Sequence, residues 1–525
     1  MNLQTLQPLF SPEQIRRGER TVADEQGIEL YQLMLRAGKA VAAHIIHTHS
    51  ATSSVLVLCG GGNNGGDGYV TALELQQAGL TVQLVSTIDT ATLSGDALRA
   101  FQQWVDAGNE VSSTAALAQC ISNSEMIVDA ILGTGLSGPA REEIASIIDQ
   151  VNASQLPIIS VDIPSGLNAA VGIAEGSVIR ALETITFIGI KKGLVTGAAR
   201  EYVGKLHLQT IAIGDHFIAT EPTHCFGMNA SAIAELVKRR KMCAHKGDNG
   251  RLILFGGHHS MSGAIRMATH AALRGGAGLV KVITHPDSRL PTQLSCPEAM
   301  VDCFIEPESL VGEAQVTPQP DLSWAQALVL GPGLSQSNWG RAGYQAAAQL
   351  PVLKVLDADA LNLLSLNPQQ DAQRILTPHP GEAARLLGVS ITEIEQDRYQ
   401  AVRQLQQKYG GVVVLKGAGT LIDDGETTYV CRQGNPGMAT GGMGDVLAGL
   451  IGALLAQKYD LLEAALLGVL AHSSAADLNV QHEGVIGLLA SDVIDSLRMV
   501  LNQIVEIEHP GTKSSSVLEK ILPAQ

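Results

Sequence analysis

The 525-residue sequence predicts an α/β protein of two domains. Short apolar, β-branched runs recur along the chain, and each ends in glycines or polar residues that precede a helical stretch. This pattern is interrupted near residue 220 by a proline-bearing segment with few periodic apolar residues, and then a second series begins. We therefore expect domains over 1–220 and 229–525, with a linker over 221–228.

Composition narrows the functional classes. Charged residues make up 16% of the chain and the net charge is −16, which argues against nucleic-acid binding; the basic run 238–241 is interpreted as a solvated helix end. The seven cysteines form no C-x-x-C pair, which indicates a reducing compartment without structural zinc. No signal pattern is present and no apolar run is expected to span a membrane. We expect a soluble, cytoplasmic protein that binds neither nucleic acid nor membranes.

The first domain is predicted to open with a helix and continue with strands that end in polar residues. Ser11 begins a capping pattern, with proline next and glutamine three residues after the cap. The first strand, 55–58, ends in a glycine-rich loop over 60–68 that contains two asparagines and one aspartate, and a helix is predicted from Tyr69. This strand, loop and helix form an arrangement that can hold a phosphate group.

Later strands of the first domain end in Asp129 and in Asp162 with Ser165. Because the carboxyl ends of parallel strands meet at one edge of a sheet, we expect these residues and Asn64 to converge on one site. A single acid after a strand is more often a helix cap than a catalyst, but three such loops favour function. Hard oxygen ligands of this kind suit an alkali or alkaline-earth cation rather than zinc.

The predicted strands of the second domain are also followed by glycine-rich or polar segments that can contact a ligand. The segments that follow them are 256–260, 331–334, 357–359, 377–382 and 416–420. His379 lies between prolines that hold it extended, which makes it a candidate substrate contact. Lys416 is suited to pairing with nucleotide phosphates.

A glycine-rich stretch over 434–445 leads into an apolar helix predicted over 446–456. Free backbone N–H groups and the helix dipole at such a junction favour an anion, such as a phosphate. Asp445 lies where the loop becomes a helix. Its position is compatible with a helix N-cap and with a base beside a transferring phosphoryl group, and the stretch alone leaves both open.

Together, the motifs resemble two known enzyme families. Those of the second domain resemble the ribokinase-like superfamily and, within it, the ADP-dependent NAD(P)H-hydrate dehydratases; they are Lys246-Gly247, 331–334, 357–361, 377–382, 416–420 and 440–445. The segments 63–68, 133–139 and 162–166 resemble NAD(P)H-hydrate epimerase domains. The whole chain resembles the bifunctional nicotinamide-repair enzymes. The implied fold is a Rossmann-like three-layer α/β/α sandwich followed by a ribokinase-like α/β/α domain.

The resemblance implies that the second domain returns hydrated NADH or NADPH to the working cofactor. ADP would phosphorylate the hydroxyl of the S epimer, and phosphate would then leave. Asp445 would accept the hydroxyl proton, although a helix N-terminus is expected to lower its pKa. The hydrate would contact Ala264, Gly333, His379 and Asp445. ADP would contact Lys416, Gly417, Ala418, Gly419, Thr420 and Gly444. Mg²⁺ would accompany the nucleotide.

The resemblance implies that the first domain interconverts the R and S hydrates. Potassium would bind to Asn64, Asp129 and Ser165, and Asp162 would be the acid/base. The substrate-binding residues would be Asn63, Asn64, Gly65, Gly66, Asp67, Gly133, Thr134, Gly135, Leu136, Ser137, Gly138, Pro139 and Asp162.

Two other interpretations of the sequence stay open. One is a vitamin or sugar kinase fused to a non-catalytic nucleotide-binding domain, which would release a stable phosphorylated product rather than inorganic phosphate. The other makes the first domain a scaffold whose loop acids are dispensable for turnover. The choice between ADP and ATP is also open, because backbone contacts dominate such sites. We expect a homo-oligomer, because both halves are rich in apolar residues.

Overall fold

A computed structural model of the chain describes residues 5–136, 138–306 and 320–502. Its contacts divide the chain into two compact units. The N-terminal unit is Pro8–Cys225, and the C-terminal unit begins at Phe226 and also includes the described residues that precede Pro8. Both units contain parallel strands with intervening helices, so the predicted α/β class is confirmed.

In the N-terminal unit, strands and helices alternate along the chain. The strands are β1 (Gln7–Phe10), β2 (Ser54–Cys59), β3 (Thr81–Ser86), β4 (Met126–Ala130), β5 (Ile158–Val161), β6 (Glu183–Phe187), β7 (Ile190–Lys191) and β8 (Lys205–Gln209). The helices are α1 (Pro12–Gln26), α2 (Leu30–Thr48), α3 (Asn63–Gln77), α4 (Gly95–Asp106), α5 (Leu117–Ser122), α6 (Glu142–Ala153) and α7 (Gly214–Thr220).

Six of these strands form a parallel sheet in the order β3-β2-β4-β5-β6-β8, and β1 pairs with β7. Side chains alternate between the faces of the sheet. Val55 and Val57 of β2 belong to a core that includes residues of α2 and α3, whereas Leu56 and Leu58 belong to a core that includes residues of α5 and α6. Helices therefore cover both faces, which is the predicted three-layer arrangement.

Helix α3 begins at Asn63, six residues earlier than the sequence predicted. The glycine-rich segment was expected to be a loop because glycine disfavours helices, but tertiary packing outweighs that preference here. A Cβ atom on Gly65 would lie 1.9 Å from the carbonyl oxygen of Gly60, so glycine is needed for close packing inside the first turns. At the start of the chain, the capping box of Ser11 and Gln14 is confirmed.

The C-terminal unit has ten strands and eleven helices among the described residues. The strands are β9 (Cys225–Met228), β10 (Arg251–Phe255), β11 (Leu279–Thr284), β12 (Met300–Cys303), β13 (Ala327–Leu330), β14 (Leu353–Leu356), β15 (Arg374–Leu376), β16 (Val412–Leu415), β17 (Leu421–Asp423) and β18 (Thr428–Cys431). The helices are α8 (Ala232–Leu236), α9 (Ser262–Arg274), α10 (Pro286–Ser295), α11 (Asn338–Ala347), α12 (Asp359–Leu366), α13 (Pro380–Leu387), α14 (Ile391–Gln396), α15 (Arg398–Tyr409), α16 (Met443–Ala456), α17 (Leu461–Glu483) and α18 (Ala490–Asn502).

The strands of this unit follow the order β12-β11-β10-β13-β14-β15-β16-β17-β18-β9. Neighbours from β12 to β16 are parallel, and β17 is antiparallel to both of its neighbours, β16 and β18. Strand β9 occupies residues 225–228 of the predicted linker. The backbone N–H of Arg432 donates to the carbonyl of Met228, which fixes this strand beside the end of β18.

Helix α16 is the central helix of the C-terminal unit. Twelve of its 14 residues are buried, and it packs against β10, β13 and β14 on one side and against α9 and α17 on the other. A helix that is apolar on every side needs neighbours all round, so this arrangement agrees with the prediction of a buried helix.

Three further expectations can be compared with the structure. Among the described helices, α17 is long and apolar enough to cross a membrane by length and composition, contrary to the prediction, but 78% of its most apolar window is buried, as in a core helix. None of the seven cysteines forms a disulfide bond. The basic run 238–241 follows the end of α8 and is exposed; Lys238 pairs with Glu463, and Arg240 donates to the carbonyl of Gly276.

Candidate active sites of the two units

In the N-terminal unit, Asp129 at the end of β4 is fully buried and surrounded by donors. Its Oδ1 accepts from the hydroxyl of Ser165 at 2.5 Å and from the N–H of Ile131 at 3.3 Å. Its Oδ2 accepts from the hydroxyl of Ser160 and the N–H of Ser165, each at 2.9 Å. Burial raises the pKa of Asp129, while these hydrogen bonds act in the opposite direction.

Asn64 completes this cluster from the first turn of α3. Its Nδ2 donates to the carbonyl of Leu132 at 3.0 Å, and the N–H of Leu132 donates to the hydroxyl of Ser165 at 2.8 Å. Asn64 Oδ1 is buried and has no hydrogen-bond partner among the described residues. The structure therefore brings together Asn64, Asp129 and Ser165 as predicted, and it leaves one oxygen ligand unsatisfied beside them.

Asp162, the first residue after β5, has a different environment. Its backbone is left-handed, with φ of 65°, and its Oδ1 accepts from the buried ammonium of Lys191, from the hydroxyl of Thr186 at 3.1 Å and from the N–H of Phe187 at 3.2 Å. Its side chain keeps 14% of its surface exposed. A lysine ion pair thus holds this carboxylate at the edge of the site.

Two further acids lie within electrostatic range of this pair. Burial and the charge of Asp162 raise the pKa of Asp67 well above its ordinary value, and the charge of Glu19 adds to the shift. Burial raises the pKa of Glu19 itself, with Asp162 acting in the same direction. Asp67 was predicted as a substrate contact, but Glu19 and the pairing role of Lys191 were missed. Nothing in the local sequence of α1 marks Glu19, because only the fold brings it to the site.

The loop after β4 borders the same cluster. A Cβ atom on Gly133 would lie 3.1 Å from that of Asn64, so this loop and the start of α3 are adjacent. The predicted contacts Thr134, Gly135, Leu136, Gly138 and Pro139 line the loop and keep some exposure. Ser137 lies outside the described residues.

In the C-terminal unit, Asp445 is the third residue of α16, and the N-cap is Gly442, whose φ is 94°. The Asp445 carboxylate makes no capping bond and accepts no hydrogen bond from the described residues. The interpretation of Asp445 as an N-cap is therefore wrong. The expectation that the helix N-terminus lowers its pKa is also wrong, because burial and the charges of Asp357 and Glu382 raise the pKa to about 7, against the opposing effect of Lys416.

Lys416, directly after β16, is the cation of this site. Its Nζ lies 2.8 Å from Oδ1 of Asp357 and 3.8 Å from Oε2 of Glu382. Burial lowers the pKa of Lys416, but the two carboxylates outweigh it, so the pKa lies above its ordinary value and the side chain is charged. Burial and Asp357 raise the pKa of Glu382 to about 7. The hydroxyl of Thr377 donates to Asp357 Oδ1 at 2.7 Å and fixes that carboxylate.

The predicted nucleotide loop, 416–420, is held by a buried arginine that sequence reasoning missed. Arg398, 1% exposed, donates from Nη2 to the carbonyls of Leu415 and Lys416 at 3.3 and 3.1 Å. The loop ends with the hydroxyl of Thr420 donating to the carbonyl of Gly417 at 3.0 Å. Gly444 adjoins this loop, since a Cβ atom there would lie 3.1 Å from Lys416 Nζ.

The other predicted substrate contacts lie along the same strand ends. A Cβ atom on Gly333 would lie 3.2 Å from that of Ala264, so these two residues are neighbours. Met267, one turn further along α9, packs against Gly442. His379 is the N-cap of α13; its Nδ1 accepts from the N–H of Gly381 at 3.0 Å, which leaves Nε2 to carry the proton of the neutral ring.

The glycine-rich loop before α16 is anchored at its start and exposed at its end. Asp477 of α17 accepts from the N–H of Gly434 at 2.9 Å and from the side chain of Asn435 at 2.8 Å. Residues 439–441 are exposed. The first turn of α16 therefore meets solvent beside Lys416, which is the geometry expected of an anion site. Asp477 was missed because only the fold brings α17 to this loop.

Comparison with known proteins gives matches to both units. A family model described as NAD(P)H-hydrate dehydratase matches residues 252–498, and one described as YjeF-related protein N-terminus matches residues 30–193. The bifunctional NAD(P)H-hydrate repair enzyme Nnr of Vibrio cholerae is 45% identical over 504 residues, which cover 95% of this chain and 100% of that protein. Its counterpart in Escherichia coli is 43% identical over 506 residues, which cover 96% of each chain.

A solved structure also aligns with part of the chain. The ADP/ATP-dependent NAD(P)H-hydrate dehydratase from Bacillus subtilis, co-crystallised with ATP and Mg²⁺, is 27% identical. The alignment covers 53% of this chain and 97% of that one, with a TM-score of 0.47.

Proposed function

The chain belongs to the family of bifunctional NAD(P)H-hydrate repair enzymes, and from that premise we propose how its residues divide the two reactions. The N-terminal unit carries the epimerase and the C-terminal unit carries the dehydratase.

In the dehydratase, we propose that Asp445 takes the proton of the substrate hydroxyl while the terminal phosphoryl group of ADP is transferred to that oxygen. AMP leaves, and the new phosphate ester then loses phosphate together with a proton from the adjacent ring carbon, which restores the ring double bond. The observation that supports this role is a carboxylate without a hydrogen-bond donor and with a pKa raised to about 7, because a base works best when its pKa is near the working pH. Lys416 and the first turn of α16 would stabilise the transferring group.

The carboxyl ends of strands β10, β13, β14, β15 and β16 form a row that is long enough to bind both the hydrate and ADP. Four strand spacings, from β10 to β16, correspond to about 19 Å. Ala264 and Gly333 lie at one end of the row and the loop 416–420 lies at the other, with Asp445 between them. We propose that ADP occupies the second end and that the hydrate extends from the first end past Asp445 towards His379, which follows β15 and whose Nε2–H can donate to it.

Mg²⁺ would accompany the nucleotide phosphates and neutralise part of their charge. Among the described residues, no group of three metal-binding side chains converges at this site. Asp357 Oδ1 is already engaged by Lys416 and Thr377. The chain therefore fits a metal held mainly by the phosphates rather than by the protein.

In the epimerase, we propose that Asn64, Asp129 and Ser165 hold a potassium ion. The buried, unsatisfied Oδ1 of Asn64 and the carboxylate of Asp129 supply oxygen ligands without an imidazole or thiolate, which suits a hard cation. Asp162, paired with Lys191, would act as acid/base on a substrate held by α3 and the loop 133–139. Potassium would supply a positive charge that helps to fix the substrate.

We also propose a cytoplasmic location and a homo-oligomer. Seven cysteines without a disulfide bond suit a reducing compartment. Large apolar side chains are exposed on α10, where Leu290 and Leu294 are 63% and 75% exposed, and such residues are typical of contacts between subunits. Light scattering of the purified protein measures the oligomeric state.

One experiment tests the whole assignment. The protein is incubated with separated S and R hydrates of NADH, with Mg²⁺ and either ADP or ATP, and the absorbance of the reduced nicotinamide is followed. We expect inorganic phosphate and NADH in equal amounts, from both epimers. Accumulation of a stable phosphorylated product would instead support a small-molecule kinase. Conversion of the S epimer alone would contradict the assignment of epimerase activity to the N-terminal unit.

A further inference from the structure

Three histidines and one glutamate meet on one face of the N-terminal sheet. We call them the His₃Glu cluster: His44 in α2, His49 at the C-terminal cap of α2, Glu183 at the start of β6, and His207 in β8. His207 is opposite Ile185 in the register of the two strands, two residues along from Glu183. The cluster thus joins one helix to the strands at one edge of the sheet.

The cluster is separate from the epimerase site. Glu183 is the first residue of β6, whereas the N–H of Phe187, at the other end, donates to Asp162. At about 3.3 Å per residue, these two ends of the strand lie ~13 Å apart. Substrates of such sheets bind at the carboxyl ends of the strands, so the cluster lies at the opposite edge from the chemistry.

The ring nitrogens of the cluster converge on one carboxylate. Nε2 of His44 lies 2.8 Å from Oε2 of Glu183, Nε2 of His207 lies 2.6 Å from the same oxygen, and Nε2 of His49 lies 3.1 Å from Oε1. In a tetrahedral site with bonds of 2.0–2.1 Å, ligand atoms are about 3.3 Å apart. The ligand atoms of His44, His49 and Glu183 all lie within 4.8 Å of one another, so small side-chain movements would place these three around one ion. His207 contacts the same carboxylate and would join them by a rotation of its ring.

Hydrogen bonding does not account for all four residues. Glu183 is hydrogen-bonded to His44 and His49, but Nε2 of His207 is buried and, despite its closeness to the carboxylate, has no hydrogen bond of suitable geometry with any described residue. A buried ring nitrogen is normally satisfied. The side chains keep between 10% and 23% of their surface exposed, so an ion from solution can enter.

We propose that the His₃Glu cluster binds one divalent transition-metal ion of the zinc class, with three imidazole nitrogens and one carboxylate oxygen as ligands. Imidazole ligands exclude Mg²⁺ and Ca²⁺ as the preferred ions, because these prefer oxygen. Four protein ligands leave no open position, so the ion is structural and cross-links α2 to β6 and β8. The earlier expectation of no structural zinc rested on cysteine spacing, which says nothing of histidine ligands.

The test uses the full-length protein, stripped of metal by dialysis against EDTA. Zn²⁺ is titrated by calorimetry, and the melting temperature (Tm) of the N-terminal unit is measured with increasing Zn²⁺. We expect one Zn²⁺ per chain and a Tm that rises with Zn²⁺ concentration, because the ion binds only the folded cluster. His207→Gln should weaken Zn²⁺ binding at least tenfold and remove most of the rise in Tm.

His47→Gln is the matched control, because His47 also lies in α2 but is exposed and outside the cluster. Its Zn²⁺ affinity should equal that of the parent. If His207→Gln does not fold, Glu183→Gln keeps the shape of the side chain and tests the same site. Absence of stoichiometric Zn²⁺ binding by the parent, or parental affinity in the cluster variants, would overturn the proposal.

Discussion

The two candidate sites surround their carboxylates with different numbers of hydrogen-bond donors. In the N-terminal unit, Asp129 accepts from two serine hydroxyls and two backbone N–H groups, and Asp162 is paired with a buried lysine. In the C-terminal unit, Asp445 accepts no hydrogen bond from the described residues and lies within range of two like charges. The pKa of Asp445 therefore rises to about 7, whereas the donors around Asp129 oppose the effect of its burial.

This contrast shows how two sheets with similar layouts support different chemistry. Fixed donors make a carboxylate a good holder of a cation or a substrate, because its charge is stabilised in one geometry. A carboxylate without donors is free to accept a proton. Because one chain holds both activities, each activity serves as the folding control when a residue of the other site is changed.

The largest effect is expected for Asp445→Asn, which keeps the shape of the side chain but removes the base. Dehydration should fall by ~10²–10⁴, as is typical when a general base is lost. Epimer exchange should continue at the parental rate. Dehydration is measured as NADH absorbance with the S hydrate, ADP and Mg²⁺, and a near-normal rate would show that Asp445 does not accept the proton.

The next largest effect is expected at the N-terminal site, where fixed donors surround Asp129. Asp129→Ala removes the only formal negative charge among the proposed potassium ligands, so substrate affinity in epimerisation should weaken about 10- to 100-fold and dependence on K⁺ should disappear. Dehydration should persist. Ser160→Ala is the control, because Ser160 also donates to Asp129 but is not a proposed ligand. Unchanged K⁺ dependence in Asp129→Ala would disprove the metal assignment.

The pH dependence of dehydration tests the raised pKa of Asp445 in the C-terminal site. The raised pKa of Asp445 implies that dehydration falls about tenfold for each pH unit below 7, since the base becomes protonated. Asp357→Asn removes a like charge, so the midpoint of this acid limb should move down by about one unit. The midpoint is the readout, because the maximal rate also depends on Lys416. An unmoved midpoint would show that Asp357 does not set the pKa of Asp445.

The smallest effect concerns where the chain can be divided. Pieces ending at Thr220 and starting at Asn229 should each keep one activity, because each unit has its own core. The structure suggests a better cut after Cys225, since Glu221 is buried and accepts from Arg17 at 2.8 and 2.5 Å. We expect the piece 1–225 to have a higher Tm than 1–220. Insoluble, inactive pieces from both cuts would show that the boundaries are wrong.

The sequence predicted the elements whose signals are local. The capping box at Ser11, the buried strands and the apolar helix after the glycine loop are all set by neighbouring residues. The convergence of Asn64, Asp129 and Ser165 was also predictable, because strand ends in a parallel sheet share an edge. These are the parts of the fold and of the sites that periodicity and motif order are able to specify.

The remaining features depend on contacts between residues far apart in the chain. Glu19, Arg398 and Asp477 reach the sites only through tertiary packing, and no local pattern marks them. The start of α3 was predicted too late because glycine propensity was weighed without knowledge of what packs on Gly65. The pKa of Asp445 was assigned the wrong direction because the helix dipole was visible in the sequence, but the nearby acids were not.

Burial of α16 on every side has a consequence for motion. The helix cannot tilt or slide without opening the core around it, since close-packed interiors do not deform gradually. The amides of α16 beyond its first turn should exchange with deuterium only when the whole unit unfolds, whereas those of the exposed residues 439–441 should exchange within seconds. Asp445 thus stands at a fixed point, and any closure over bound substrates has to come from the loop in front of it.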